Sequence, residues 1–216
     1  MNIRQSKRAL SGQLRGPVAA MGFNESEPLL FLRFPAGNIQ QDLVFTPREK
    51  LPGVFAFGAG VGIRFAEVEA IIGAGADDQF KSTVGMPIHL LREDKSYFEW
   101  EFLAEEDLQE VVRSVVENVE LYAIPFLNRF SHLPSVRQTL ESHSPRDHFV
   151  LSPESRVVVL AGILCVMEGH DSAIQLLNSE LTKRAGRPAK YRTELRLLKT
   201  KIERLRTQSQ HEGVSS

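Results

Sequence analysis

The spacing of apolar positions changes period several times along the chain, and each change marks an element. Residues 3–21 carry Ile3, Leu10, Leu14, Val18 and Met21 at near-helical intervals, which predicts an N-terminal helix broken or bent at Gly16-Pro17. Asn24 to Pro28 reads as a turn. The period then drops toward two. Leu29–Phe34 and Ile39–Thr46 read as strands joined by Pro35-Ala36-Gly37-Asn38, and Val54–Phe65 is the clearest strand of all. In it Phe55, Phe57, Ala59, Val61, Ile63 and Phe65 share one face, while Val54, Ala56, Gly58, Gly60, Gly62 and Arg64 share the other. One face is bulky and the other nearly bare, which lets another backbone or a helix come close. Lys81–Arg92 and Tyr97–Phe102 complete the set as a further hairpin. The connections are too short to hold crossover helices, so the sheet is expected to be antiparallel, with four or five strands.

Beyond Phe102 the period becomes helical and stays so. Glu105-Glu106-Asp107 opens a long helix whose stripe runs Leu108, Val111, Val112, Val115, Val119, Tyr122, Phe126 and Phe130, with a kink expected at Pro125. A short helix is expected around Ser135–Leu140. Ser152-Pro153 starts another, with Ser as N-cap, which runs through the apolar stretch Val157–Met167 to Gly169. Asp171 caps the next, to about Arg184. A last helix from Ala189 to Thr207 carries Tyr191, Leu195, Leu198, Ile202 and Leu205 at coiled-coil steps, but for only about two heptads. Docking on its own domain or on a symmetry mate follows, so these five residues are a candidate homodimer seam. The expected architecture is therefore α+β: an antiparallel sheet covered by a long helix in residues 1–143, a three-helix subdomain in 150–207, and a flexible tail in 208–216.

Composition sharpens this picture mainly through charge. The 216 residues hold 26 basic and 27 acidic side chains, and 42% are hydrophobic, which excludes a disordered chain, a collagen-like repeat and a disulfide scaffold. The near-neutral sum conceals an asymmetry. Residues 183–206 carry ten basic against two acidic side chains, and 16–182 carry twelve against 24. Both ends are basic and the body is acidic, so the ends either fold back on the body or meet an acidic partner. The single Cys165 lies in an apolar run, which fits a reduced, cytoplasmic setting and a buried thiol. No apolar run reaches the roughly 20 residues of a membrane-spanning helix, and no membrane partner is expected.

Candidate chemistry is sparse. The glycines of Phe57-Gly58-Ala59-Gly60-Val61-Gly62 sit within a strand and have the wrong spacing for a dinucleotide fingerprint, and no phosphate-loop sequence occurs, so no cofactor is expected. Glu67 with Glu69, and Glu99 with Glu101, each place two carboxylates on one presumed strand face. Such pairs serve acid/base or metal chemistry, and otherwise form an ordinary solvated face. His143 and His148, with Asp147 between them, could build a loop metal site; Ser144-Pro145 keeps them off one helix face. Lys183-Arg184-Ala185-Gly186-Arg187-Pro188 approximates a minor-groove hook but has Ala185 where an arginine belongs. With Lys190 these cations form a candidate phosphate-binding segment.

Tyr122-Ala123-Ile124-Pro125-Phe126-Leu127, followed by Phe130 and Ser135–Leu140, resembles a helix end in a bacterial family known as domain of unknown function 4304. The strands at Leu29–Arg33 and Phe55–Ile63 sit where that family has its early strands, and Trp100 matches its tryptophan ahead of the long helix. The resemblance covers about residues 1–143, and 150–207 is similar to a helical extension carried by some of these proteins. It implies a compact α+β domain, and some relatives are suspected of neutralising toxins; it supplies no catalytic residue. The leading expectation is a non-enzymatic, cytoplasmic protein-binding domain of immunity-like type, whose acidic body meets a basic protein. The alternatives are a small hydrolase or metal-dependent enzyme using the glutamates, and nucleic-acid binding through the basic C-terminal helix.

Overall fold

The computed structural model describes residues 2–35, 37–73, 82–142, 149–183, 185–186 and 189–212, with the backbone alone at 190–191 and 211–212. They form two compact units, one of residues 1–64 and 84–131, the other of 65–83 and 132–216. The division differs from the expected one near residue 143, because a helix inside the expected sheet region packs with the C-terminal helices.

The first unit is a sheet covered by helices. Helix α1 (Ile3–Ala20) begins at a capping box: Asn2 Oδ1 accepts from the Arg4 and Gln5 amides at 3.0 Å each, and Gln5 Oε1 accepts from the Asn2 amide at 2.8 Å. It runs on through Pro17 without breaking. The carbonyl that loses its partner there belongs to Gln13, which is exposed, so water can satisfy it. Strands β1 (Asn24–Glu27), β2 (Leu30–Arg33), β3 (Ile39–Leu51) and β4 (Val54–Phe65) follow as antiparallel neighbours in chain order. The expected turn at 24–28 is thus mostly strand. The reversal is confined to Pro28-Leu29, where buried Leu29 has φ of 70° and its carbonyl accepts from the Phe45 amide at 2.9 Å.

Beyond β4 the expected hairpin does not form. Strand β5 (Val84–Pro87) pairs with Gly60–Ile63 of β4, and β6 (Trp100–Phe102) pairs with Phe55–Phe57 of the same strand. The two lie end to end along β4, giving six strands where four or five were expected. Pro87 has no amide hydrogen to extend the ladder, and the chain turns into a 3₁₀ segment, Ile88–Leu91. The bulky face of β4 is buried as its alternation predicts. Phe57 stacks on Trp100 at 5.4 Å, and Trp100 Nε1 donates to Ser114 Oγ at 3.0 Å. Ser114 lies on helix α3 (Leu108–Asn118), which packs on α1 and β6; Leu10, Leu14, Val18, Leu108 and Val115 are buried. The expected long helix is interrupted by a π-helical turn, Val119–Ala123, before resuming as α4 (Ile124–Arg129). The Ile124 amide donates to the Val119 carbonyl, a five-residue step that widens the helix directly ahead of Pro125.

The second unit is helical: α2 (Ala66–Ile72), α5 (Leu133–Glu141), α6 (Pro153–Glu168), α7 (His170–Lys183) and α8 (Ala189–Glu212). Ser152 caps α6 by accepting from the Ser155 amide at 3.0 Å. Helix α6 is apolar around much of its circumference and contacts α2, α5, α7 and α8, as a helix central to its unit must. Cys165 lies buried on it, and burial pushes its thiol pKa up. No helix of the described residues is long and apolar enough to cross a membrane.

Candidate functional site

The expected carboxylate pairs are not open acid/base sites. Glu99 and Glu101 lie on the outer side of the sheet, where Glu101 is opposite Ala56 of β4. Ala56 and Gly58 offer no bulk on that face, so side chains from β3 reach across β4. Arg48 donates to Glu99 through Nε at 3.1 Å and Nη2 at 2.6 Å, and Lys50 donates to Glu101 at 2.5 Å. The Arg48 hydrogen bonds hold the Glu99 carboxyl below the usual carboxylate range. Each carboxylate is thus matched to its own cation.

Glu67 and Glu69 stand on helix α2, not on a strand. Two residues apart on a helix they diverge: Glu67 is exposed and Glu69 is buried, accepting from the Thr83 hydroxyl at 2.5 Å.

The basic C-terminal segment is largely folded back on its own unit. Lys183 meets Glu180 at 3.2 Å, Lys199 meets Glu203 at 3.6 Å, Arg206 meets Asp171 at 2.8 Å, and Lys201 donates to the Ala70 carbonyl at the end of α2 at 2.8 Å. Arg184, Arg187 and residues 143–148, with the expected metal-site candidates His143, Asp147 and His148, lie outside the described residues, as do the side chains of Lys190 and Tyr191. Of the candidate dimer seam, Leu195, Leu198 and Ile202 are buried in the unit's core with Leu164 and Leu177, and Leu205 is half-buried. The chain fills this seam itself, which leaves three of the five residues unavailable to a symmetry mate as packed here.

What remains open is on the helical layer of the first unit. The outer face of the 3₁₀ turn Glu105–Asp107, α3 and the π turn presents Glu106, Glu110, Arg113, Glu117 and Glu120 at steps of four, three, four and three, with Leu121 beside them at 65% exposure. Four carboxylates face one guanidinium, and among the described residues none of these five joins an ion pair. On α1, Arg4, Lys7 and Arg8 are likewise exposed and in no ion pair among the described residues. A cleft of about 710 Å³ is lined by Gln5, Arg8 and Gly12 of α1 and by Leu103, Glu105 and Glu106. The acidic stripe is the polar complement of the apolar stripe on the same helix, and a helical wheel of residues 105–121 would have found it. Among the described residues no group of three His, Cys, Asp or Glu side chains could hold a metal ion.

Fold and surface together define an α+β chain with a covered sheet, a helical unit and a polarised helical layer. Comparison with protein-family models, with curated proteins and with solved structures returned no match.

Proposed function

We propose that this chain is a non-enzymatic, cytoplasmic protein-binding domain that receives a basic partner on the outer face of α3. The observation that carries the reading is the stripe Glu106, Glu110, Glu117 and Glu120 around exposed Leu121, with no ion pair among the described residues. Like charges on one helix face cost stability, so a face that keeps four carboxylates against the single guanidinium of Arg113 is matched to an external cation. The exposed Leu121 supplies the apolar contact that gives such an interface residence time. The π turn supports the same reading, because it breaks the helix where Leu121 is displayed and such turns favour functional positions. The pairing of Glu99 with Arg48 and of Glu101 with Lys50 argues against acid/base work by the sheet carboxylates. The single buried Cys165 supports a reducing compartment. An immunity role draws on the resemblance to domain of unknown function 4304.

The test is cross-linking in cells that express the chain, followed by titration with the purified partner. Binding is expected to weaken steeply between low and physiological salt, and the triple variant Glu110→Lys, Glu117→Lys, Glu120→Lys is expected to lose about 100-fold in affinity. A partner that binds this variant as tightly as wild type would overturn the reading.

A further inference from the structure

Resting on the reading of α3 as a docking face, we propose that the basic partner it receives is a second copy of this chain, which presents the cations of its own helix α1. Helices α1 and α3 pack against each other within the first unit, and they carry opposite excess charge. On α1, Arg4, Lys7 and Arg8 are exposed and in no ion pair among the described residues, and the helix holds no Asp or Glu. Along residues 106–120, Glu106, Glu110, Glu117 and Glu120 stand against Arg113 alone on the outer face. One chain thus holds both halves of a complementary pair.

The two faces match in scale. At about 1.5 Å of rise per residue, Arg4, Lys7 and Arg8 fall within about 6 Å along their axis, and Glu117 and Glu120 within about 5 Å along theirs. One turn of cations therefore meets one turn of carboxylates, with exposed Leu121 beside it. Gly12 follows one turn after Arg8, and nothing stands within 4 Å of a would-be Cβ there, so the α1 surface is open to Leu121. A two-fold axis lying along the helical layer between α1 and α3 sets α1 of each copy on α3 of the other, and the contact is made twice. With a formal net charge of −1 at pH 7, two copies approach with little mutual repulsion while these faces attract. Carboxylates beside the basic face select a discrete acidic helix over a polyphosphate backbone. Glu105 and Glu106 line the cleft on one side of Arg8, and Glu27 lines the cleft on the other. A nucleic acid, charged along its whole length, would be driven against them.

The experiment is sedimentation equilibrium of the full chain over a range of concentrations. Wild type is expected to form dimers with a Kd of about 10 µM at about 50 mM salt, and to weaken at least about tenfold at about 500 mM. The variant Lys7→Glu, Arg8→Glu and the variant Glu117→Lys, Glu120→Lys are each expected to lose at least about 100-fold in self-association, because each sets like charge on like twice per dimer. Mixed one to one, the two variant chains are expected to return to within about tenfold of wild type, since every α1–α3 contact in the mixed dimer is again opposite in sign. All four positions are exposed, so both variants keep the fold, which far-UV circular dichroism checks. A monomeric wild type, a variant as dimeric as wild type, or a mixture that stays monomeric would overturn the proposal. If wild type is monomeric while a different basic protein binds it and loses that binding on Glu117→Lys, Glu120→Lys, the second copy is refuted and the α3 docking face stands.

Discussion

Gly162 lies in the interior of α6, where helix propensity alone favours alanine by about 1 kcal/mol. The packing opposes that gain. A Cβ at Gly162 would stand 2.5 Å from Ile72 Cγ2 and 3.0 Å from Val68 Cγ1, both on α2. Ordinary carbon contacts lie near 3.5–4.0 Å, so α2 must move by roughly 1 Å. Both neighbours are β-branched and stiff at χ1, and neither can rotate its methyl aside freely. Overpacking of this kind costs about 1–3 kcal/mol, and less the propensity gain the Gly162→Ala chain is expected to be about 1 kcal/mol less stable. Urea unfolding followed by far-UV circular dichroism measures the difference. Ile72→Ala removes the offending Cγ2, so the pair Gly162→Ala, Ile72→Ala is expected to be more stable than the two single effects predict, by at least about 0.5 kcal/mol. Gly12→Ala in α1 is the control: nothing lies within 4 Å of its would-be Cβ, and it is expected to gain about 0.5–1 kcal/mol. A Gly162→Ala chain as stable as the Gly12→Ala one would refute the assignment of α2 as the neighbour.

This contact shows where sequence periodicity loses sight of the fold. The strands and helices with a long, regular stripe were legible: β4 begins and ends where its alternation does, and α6 begins at Ser152-Pro153 and stops at Gly169. Helix α2 was not. Its seven residues follow a twelve-residue strand directly, and Glu67, Val68, Glu69 and Ala70 keep a period of two while reversing which parity is apolar. A short helix has too few turns to establish a period, so tertiary contacts with α6 settle it. The end-to-end placement of β5 and β6 was hidden for another reason. Hairpin-length connections suggest neighbours, but Pro87 ends one ladder before the chain can double back. Of the site, charge was legible and location was not. Segment totals showed an acidic body, but Glu99 and Glu101 owe their neutralisation to Arg48 and Lys50, some fifty residues earlier and two strands away. The carboxylates outside any ion pair among the described residues lie on α3 and the turns at its two ends, a stretch whose apolar stripe is the stronger signal.

Two further predictions rest on polar contacts within single units. Arg156 caps the end of α5 by donating through Nε to the Leu140 carbonyl at 2.6 Å and through Nη2 to the Thr139 carbonyl at 3.2 Å, with Ser142 also in reach. Arg156→Ala is expected to cost about 1.5–3 kcal/mol in urea unfolding, and Arg156→Lys to recover little of it, because a single ammonium cannot serve several carbonyls from a planar fork. Glu25 links β1 to α1. Burial alone would raise its carboxyl, but hydrogen bonds from Ser11, from Arg15 at 2.6 and 2.9 Å, and from the Leu29 amide outweigh it, and the pKa falls below its ordinary 4.5. A carboxyl with a depressed folded pKa contributes stability that is complete above the unfolded value and is lost as pH falls through the folded one. Wild type is therefore expected to lose stability as the pH falls below the ordinary carboxyl range, with Glu25 contributing to the loss. Glu25→Gln is expected to start lower at pH 7 and to decline less over the same range. Parallel pH profiles for the two chains would show that Arg15, which is exposed, is too well solvated to hold the carboxylate in its charged form.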